Sequence, residues 1–241
     1  YMDGLGIGEK QFYQHPVCYV SPGKYRSFPK LIDLVLVLGQ KKLFNALGEF
    51  SDYFGQYRQF SKDVWTLYQV MCKINQTEHI VDSSKGAKRM MLLYMTQPEN
   101  IKVIHLVRDG RGVLYSALKR GRKDVSAIVR EWKLKNQHSL HCLRSISQKN
   151  KIMIRYEDLC TDTFSVMNEL FYFLEIDPID NFLLGGREHH LVPGNSLLRQ
   201  LSSNKTEEVK LNEIWKENLT KEKLVAFYDV AGKLNRKFGY V

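Results

Sequence analysis

Nothing in this sequence comes in long or dense runs. The longest apolar stretch, Leu31-Ile32-Asp33-Leu34-Val35-Leu36-Val37-Leu38, is interrupted by an Asp. It falls far short of the ~20 residues that cross a bilayer, so no transmembrane span is expected. Only four cysteines occur (Cys18, Cys72, Cys142, Cys160), and none form a C-x-x-C pair. That argues against a zinc ribbon, and four is too few for a disulfide-stapled scaffold. Repeats and low-complexity tracts are missing, which excludes collagen-like and disordered classes. No charged n-region with an apolar h-region opens the chain, so no signal peptide is read. The first residue is Tyr1 rather than Met, as expected of an internal cut in a longer protein.

What is present is the composition of a soluble globular chain: 44% hydrophobic, 12% aromatic and 26% charged residues in 241. That length suits one large domain or two small ones. The charge is uneven. The formal net charge is +10, yet residues 101–155 hold 14 Lys and Arg against three acids, so the remainder of the chain is close to neutral. A basic window in an otherwise balanced chain suggests a polyanionic ligand: a phosphorylated cofactor, an acidic glycan or a nucleic acid. A solvated helix face would show the same excess.

Gly and Pro cluster at residues 1–29, which read as loops, and residues 30–74 read as helical. An alternation of strands and helices follows. Strands are expected at 79–83, 103–108 and 152–156, each ending in polar groups. A helix after Asp109 is expected to stop at Gly121, and another spans about 124–147 with Ile128, Trp132, Leu140, Leu143 and Ile146 inward. Near the C-terminus, Leu224, Phe227, Tyr228, Ala231 and Leu234 form an apolar stripe after an N-cap at Thr220. This order predicts an α/β fold, a parallel sheet flanked by helices, with ligands beyond the carboxyl ends of the strands.

The strongest chemical signal is Val103 to Ser116, a strand running into Arg108-Asp109-Gly110-Arg111 and a helix. An Arg at a strand end is fixed in direction, and its fork can hold a phosphate through two parallel hydrogen bonds. Ser116, about two turns into the helix, can donate to the same anion, and the N–H groups of Gly110 to Val113 add a favourable dipole. An Arg paired with a surface acid would carry the same motif.

Strand-R-D-x-R-x-x-x-x-S resembles the 3′-phosphate-binding motif of sulfotransferases that use 3′-phosphoadenosine-5′-phosphosulfate (PAPS). Ile80-Val81-Asp82-Ser83-Ser84-Lys85 resembles the "vDSSK" strand of bacterial-type and Golgi-type members. Ile154-Arg155-Tyr156-Glu157-Asp158-Leu159 matches "RYEDL". His189 to Arg199 resembles a late "H…GN…R" cofactor loop, and Lys237-Phe238-Gly239-Tyr240 resembles the family's terminal helix. The resemblance spans about residues 78–241 and implies a P-loop nucleotide-kinase-like sulfotransferase architecture. It implies that Arg108 and Ser116 hold the 3′-phosphate, that Tyr156 lies near the adenosine, and that Asn195 and Arg199 close over the nucleotide phosphates. Ser84 and Lys85 would face cofactor or acceptor, although an Asp82–Lys85 surface turn explains them equally well.

Residues 1–241 then form a single sulfotransferase domain without its N-terminal 5′-phosphosulfate loop, since no G-x-x-x-x-G-K-[ST] or S-G-T/S-T stretch occurs. The catalytic base would follow that loop, and Glu9 in Gly8-Glu9 fits the order. An exposed loop Glu would look the same. No metal is implied. The function expected is sulfuryl transfer from PAPS to a hydroxyl or amine of a small molecule, glycan or protein. A non-catalytic nucleotide- or polyanion-binding homologue is the alternative. No stacking aromatics or helix-turn-helix pattern supports a nucleic-acid partner, and no magnesium-binding carboxylates support a kinase. The sequons at Asn75, Asn204 and Asn218 suit a Golgi lumen; a cytoplasmic site stays equally open, and any membrane anchor would lie in an upstream segment.

Overall fold

A computed structural model describes residues 42, 46, 52–84, 86–178 and 211–241. The loops expected at 1–29, Glu9, Lys85, and the loop carrying His189, His190, Asn195 and Arg199 lie outside the described residues. The chain divides into two units, Tyr1–Val103 with Lys135–Lys151, and Ile104–Leu134 with Ile152–Val241. Among the described residues no helix is long and apolar enough to cross a membrane.

The first unit is built on α1 (Asp52–Asn75) and α2 (Ala87–Thr96), which pack together. Val64 of α1 and Met91 and Leu92 of α2 are fully buried. The buried Ser61 hydroxyl is satisfied by Thr96 Oγ1 at 2.6 Å, as a polar group in a core must be. The strand expected at 79–83 does not form. Val81 is 88% exposed, and the Asp82 carboxylate is taken up by the Tyr68 hydroxyl, Arg89 and the Ser84 N–H instead. Burial opposes the Asp82 charge, but those hydrogen bonds win and hold its pKa below the usual carboxylate value. A short β-branched run cannot remain a strand without a ladder partner, and among the described residues none lies beside it.

The second unit contains β1 (Val103–Val107) from Ile104 onward, α3 (Gly110–Lys119), the first half of α4 (Val125–Arg144), β2 (Lys151–Arg155) from Ile152 onward, α5 (Tyr156–Thr161), α6 (Thr163–Leu174), α7 (Trp215–Asn218) and α8 (Lys221–Lys237). β1 and β2 are hydrogen-bonded neighbours in a small parallel sheet flanked by helices, as predicted for two of the three strands. β2 stops one residue early, so Tyr156 opens a helix rather than closing a strand. α3 ends as its glycine predicts. Gly121 takes φ +88°, its N–H reaches the Leu118 carbonyl, and the Arg122 N–H reaches Ala117.

The core here is aromatic. Phe227 of α8 is fully buried, with its ring 5.9 Å from that of Trp132, which in turn meets Phe238 edge-on at 6.1 Å. Gly110 is where this core and the site meet. A Cβ there would lie 2.6 Å from two Phe227 ring atoms and 3.0 Å from Trp132. Neither ring has room to yield, so Gly110→Ala is expected to destabilise the protein by ~1–3 kcal/mol through overpacking. Gly86→Ala, whose Cβ would make only a 3.4 Å contact with Arg89, should stay within about 0.5 kcal/mol of wild type. Denaturant midpoints of the two variants check the contrast, and equal midpoints would refute it.

Candidate functional site

Two arginines three residues apart leave the end of β1, and the fold gives them opposite tasks. Arg111 is turned inward. Its Nε reaches both Asp109 oxygens at 3.0 and 3.1 Å, and its Nη2 reaches Asp109 Oδ2 at 2.6 Å. Its Nη1 donates to the Tyr228 hydroxyl at 2.5 Å, and its guanidinium carbon lies 4.6 Å from the Trp215 ring centroid. Burial works against this charge, and Asp109 with Tyr228 overcomes it, so the Arg111 pKa is raised above its ordinary value. Arg111 is therefore a structural cation. Tyr228, which the sequence places in an apolar stripe, is 39% exposed and serves as its hydrogen-bond partner.

Asp109 also caps α3, accepting the Arg111 N–H at 2.9 Å, and takes a bond from Asn235 Nδ2 at 3.2 Å. Asn235 Oδ1 in turn accepts the Gly110 N–H at 3.0 Å. Buried Asn235 thus occupies one helix N-terminal donor and Asp109 another. The N–H groups of Gly110 to Val113, expected to add a favourable dipole, are thus largely engaged within the protein. Two of those donors are used by side chains, and the Val113 N–H by the Asp109 carbonyl.

Arg108 is turned the other way. Its guanidinium carbon stands 4.5 Å from the Tyr156 ring centroid, a stacking distance. Its Nη2 makes a long contact of 3.5 Å to the Asn212 carbonyl, and among the described residues no carboxylate pairs with it. A Cβ on Gly112 would come 3.4 Å from Arg108 Nε and 3.2 Å from Trp215, so the missing side chain leaves room for Arg108 against α3. Ser116 stands one turn beyond Gly112 on that face and is half-buried. The convergence expected of Arg108 and Tyr156 at the strand ends is therefore present. Burial pushes the Tyr156 phenol pKa up, with Cys160 adding to the shift and the Arg108 charge opposing it.

The first turn of α5 joins the two strand ends. Glu157 Oε1 accepts the Asp109 N–H at 3.1 Å, and Oε2 receives the Tyr240 hydroxyl at 2.5 Å. Arg155 and Asp158 pair at 2.7 Å on the surface. A 560 Å³ cavity alongside is lined by Glu157, Asp158, Glu213, Arg155, Lys216 and Trp215, among others, but not by Arg108 or Ser116. Its mixed charges do not make an anion cradle. Ser84 belongs to the first unit, where its N–H closes the Asp82 turn at 2.8 Å. Glu157 and Tyr240 lie inside stretches the sequence singled out, Ile154–Leu159 and Lys237–Tyr240, without a role of their own, whereas Asn235 and Trp215 carry no separable signal in the sequence. Asp109 and Arg111 did lie inside the R-D-x-R motif, where their spacing could be read as a cap and its partner.

A model of the sulfotransferase family matches residues 26–180, more than half of the chain. The chain belongs to the sulfotransferase family. The match includes Arg108, Ser116 and Tyr156 and ends before Asn195 and Arg199. Family membership supports sulfotransfer as the general activity. No curated protein matches the chain. Among the described residues no group of His, Cys, Asp and Glu is placed to hold a metal.

Proposed function

We propose that this sulfotransferase takes its sulfuryl group from PAPS and passes it to a hydroxyl or amine acceptor, with Arg108 holding the 3′-phosphate. The observation that carries this reading is the division of labour between the two arginines. One is neutralised by Asp109 inside the unit. The other keeps its fork at a strand end with no described carboxylate beside it. The donor set fits the nucleotide: a guanidinium for a phosphate, an aromatic ring beside it for an adenosine, and a helix face with a serine hydroxyl.

PAPS supplies an activated sulfuryl group. The acceptor oxygen or nitrogen bonds to sulfur as the phosphosulfate bond breaks, and adenosine 3′,5′-bisphosphate leaves. In this reading Arg108 binds and orients the donor without touching the reacting atoms, and Tyr156 limits the nucleotide's lateral movement. The acceptor proton goes to a base, for which Glu9 remains the proposal; Asn195 and Arg199 are likewise proposed to close over the phosphates, and Ser84 and Lys85 to face donor or acceptor.

Calorimetric titration with adenosine 3′,5′-bisphosphate and with adenosine 5′-monophosphate tests the reading. Tighter binding of the bisphosphate is expected, and equal affinities would sink it. Ser116→Ala should weaken only the bisphosphate, by ~0.5–1.5 kcal/mol, because one neutral donor is lost. An equal loss for both nucleotides would remove Ser116 from the phosphate site.

A further inference from the structure

The Phe238-Gly239-Tyr240 ending contributes something the donor reading does not use. Gly239 adopts φ +86°, a conformation that suits glycine, and the Tyr240 N–H returns to the Asn235 carbonyl at 3.2 Å. That turn carries Tyr240 back from the end of α8 to the end of β1. Its buried hydroxyl lies 3.2 Å from the Val107 carbonyl and 2.5 Å from Glu157 Oε2, while Glu157 Oε1 holds the Asp109 N–H at 3.1 Å. The Val107 carbonyl belongs to the peptide before Arg108, and the Asp109 N–H to the peptide after it. Since each peptide is planar, tying down these two planes sets both soft dihedrals of Arg108. Glu157 also follows Tyr156, the ring on which Arg108 stacks.

We propose that Tyr240 and Glu157 are positioning residues that clamp the backbone on both sides of Arg108 and so aim its guanidinium at the 3′-phosphate. The proposal rests on the reading of Arg108 as the 3′-phosphate ligand. The clamp has a specific proton count. One phenolic proton faces two acceptors, the carboxylate and the Val107 carbonyl. An amide at position 157 would change this without opening the clamp. Its oxygen would keep the Asp109 N–H, its NH₂ would donate to the phenol oxygen, and the phenol would donate to Val107. Burial, with Glu157 adding to it, raises the Tyr240 pKa, so the phenol stays protonated across the neutral range.

The readout is the ratio of affinities for adenosine 3′,5′-bisphosphate and adenosine 5′-monophosphate, measured by calorimetry on the full chain. Tyr240→Phe and Glu157→Ala should each lower that ratio about fivefold or more, a coupling of ~1 kcal/mol. Glu157→Gln should keep it within about twofold of wild type. An unchanged ratio in Tyr240→Phe and Glu157→Ala, with Arg108→Ala abolishing it, would overturn the clamp and leave the phosphate reading standing. An equal loss for both nucleotides would also overturn it, because a purely structural role weakens both. If wild type and Arg108→Ala show the same ratio, the phosphate reading itself fails. Should Tyr240→Phe not fold, the two Glu157 variants read the same ratio, and equality between them overturns the clamp.

Discussion

Arg108→Ala should weaken binding of adenosine 3′,5′-bisphosphate about 10- to 150-fold. The change removes a charge-assisted contact worth ~1.5–3 kcal/mol. It should leave the fold intact, since Arg108 is half-buried and has only the Tyr156 ring and the Asn212 carbonyl as described partners. Arg108→Lys should recover part of the loss, because an ammonium cannot grip two oxygens in parallel. Removing the 3′-phosphate from the nucleotide should mimic Arg108→Ala, and the two changes together should not add. Calorimetry of both proteins with both nucleotides closes this cycle. Equal discrimination by wild type and Arg108→Ala would take Arg108 out of the site and the donor assignment with it.

Asp109→Ala should produce the largest loss of stability. Asp109 is 4% exposed and Arg111 9%, so the change strands a largely buried guanidinium. It also removes the α3 cap and the acceptor for Asn235. Breaking a buried pair from one side destabilises by ~3–5 kcal/mol, equivalent to a melting temperature roughly 6–20 °C lower for a chain of this size. Replacing Arg111 by Met in the same chain should restore part of it, because the desolvated charge is then gone. Differential scanning calorimetry of the single and double variants tests this. A double variant no more stable than Asp109→Ala would show that the cap and the Asn235 contact, not the stranded charge, set the loss. Asp109→Ala should disturb nucleotide binding only through stability, whereas Arg108→Ala should do the reverse.

Neighbouring residues with the same chemistry therefore part company, and the reason bears on how much a sequence can say. β1, the helix after it and its stop at Gly121 were legible because their causes are local: a β-branched apolar run, a capping Asp, a glycine that takes positive φ. The strand end at Arg108 followed from the same signals, and so did its meeting with Tyr156, because parallel strands send their carboxyl ends to one edge. The run at 79–83 misled because β-branched residues favour a strand only where a neighbour completes the ladder; there Tyr68 and Arg89 draw Asp82 into a side-chain cluster instead. Which arginine of R-D-x-R is buried depended on Trp215, Tyr228 and Asn235, more than a hundred residues away in the chain. The sequence by itself determined where the turns fall, and that an arginine stands at a strand end facing a helix. Only the tertiary structure decided which charge is neutralised, which N–H groups are used up and that Tyr240 reaches back to Val107. Turn chemistry and periodicity act over a few residues, while the pairing of a buried polar group is set by whatever distant side chain packing brings within hydrogen-bond reach.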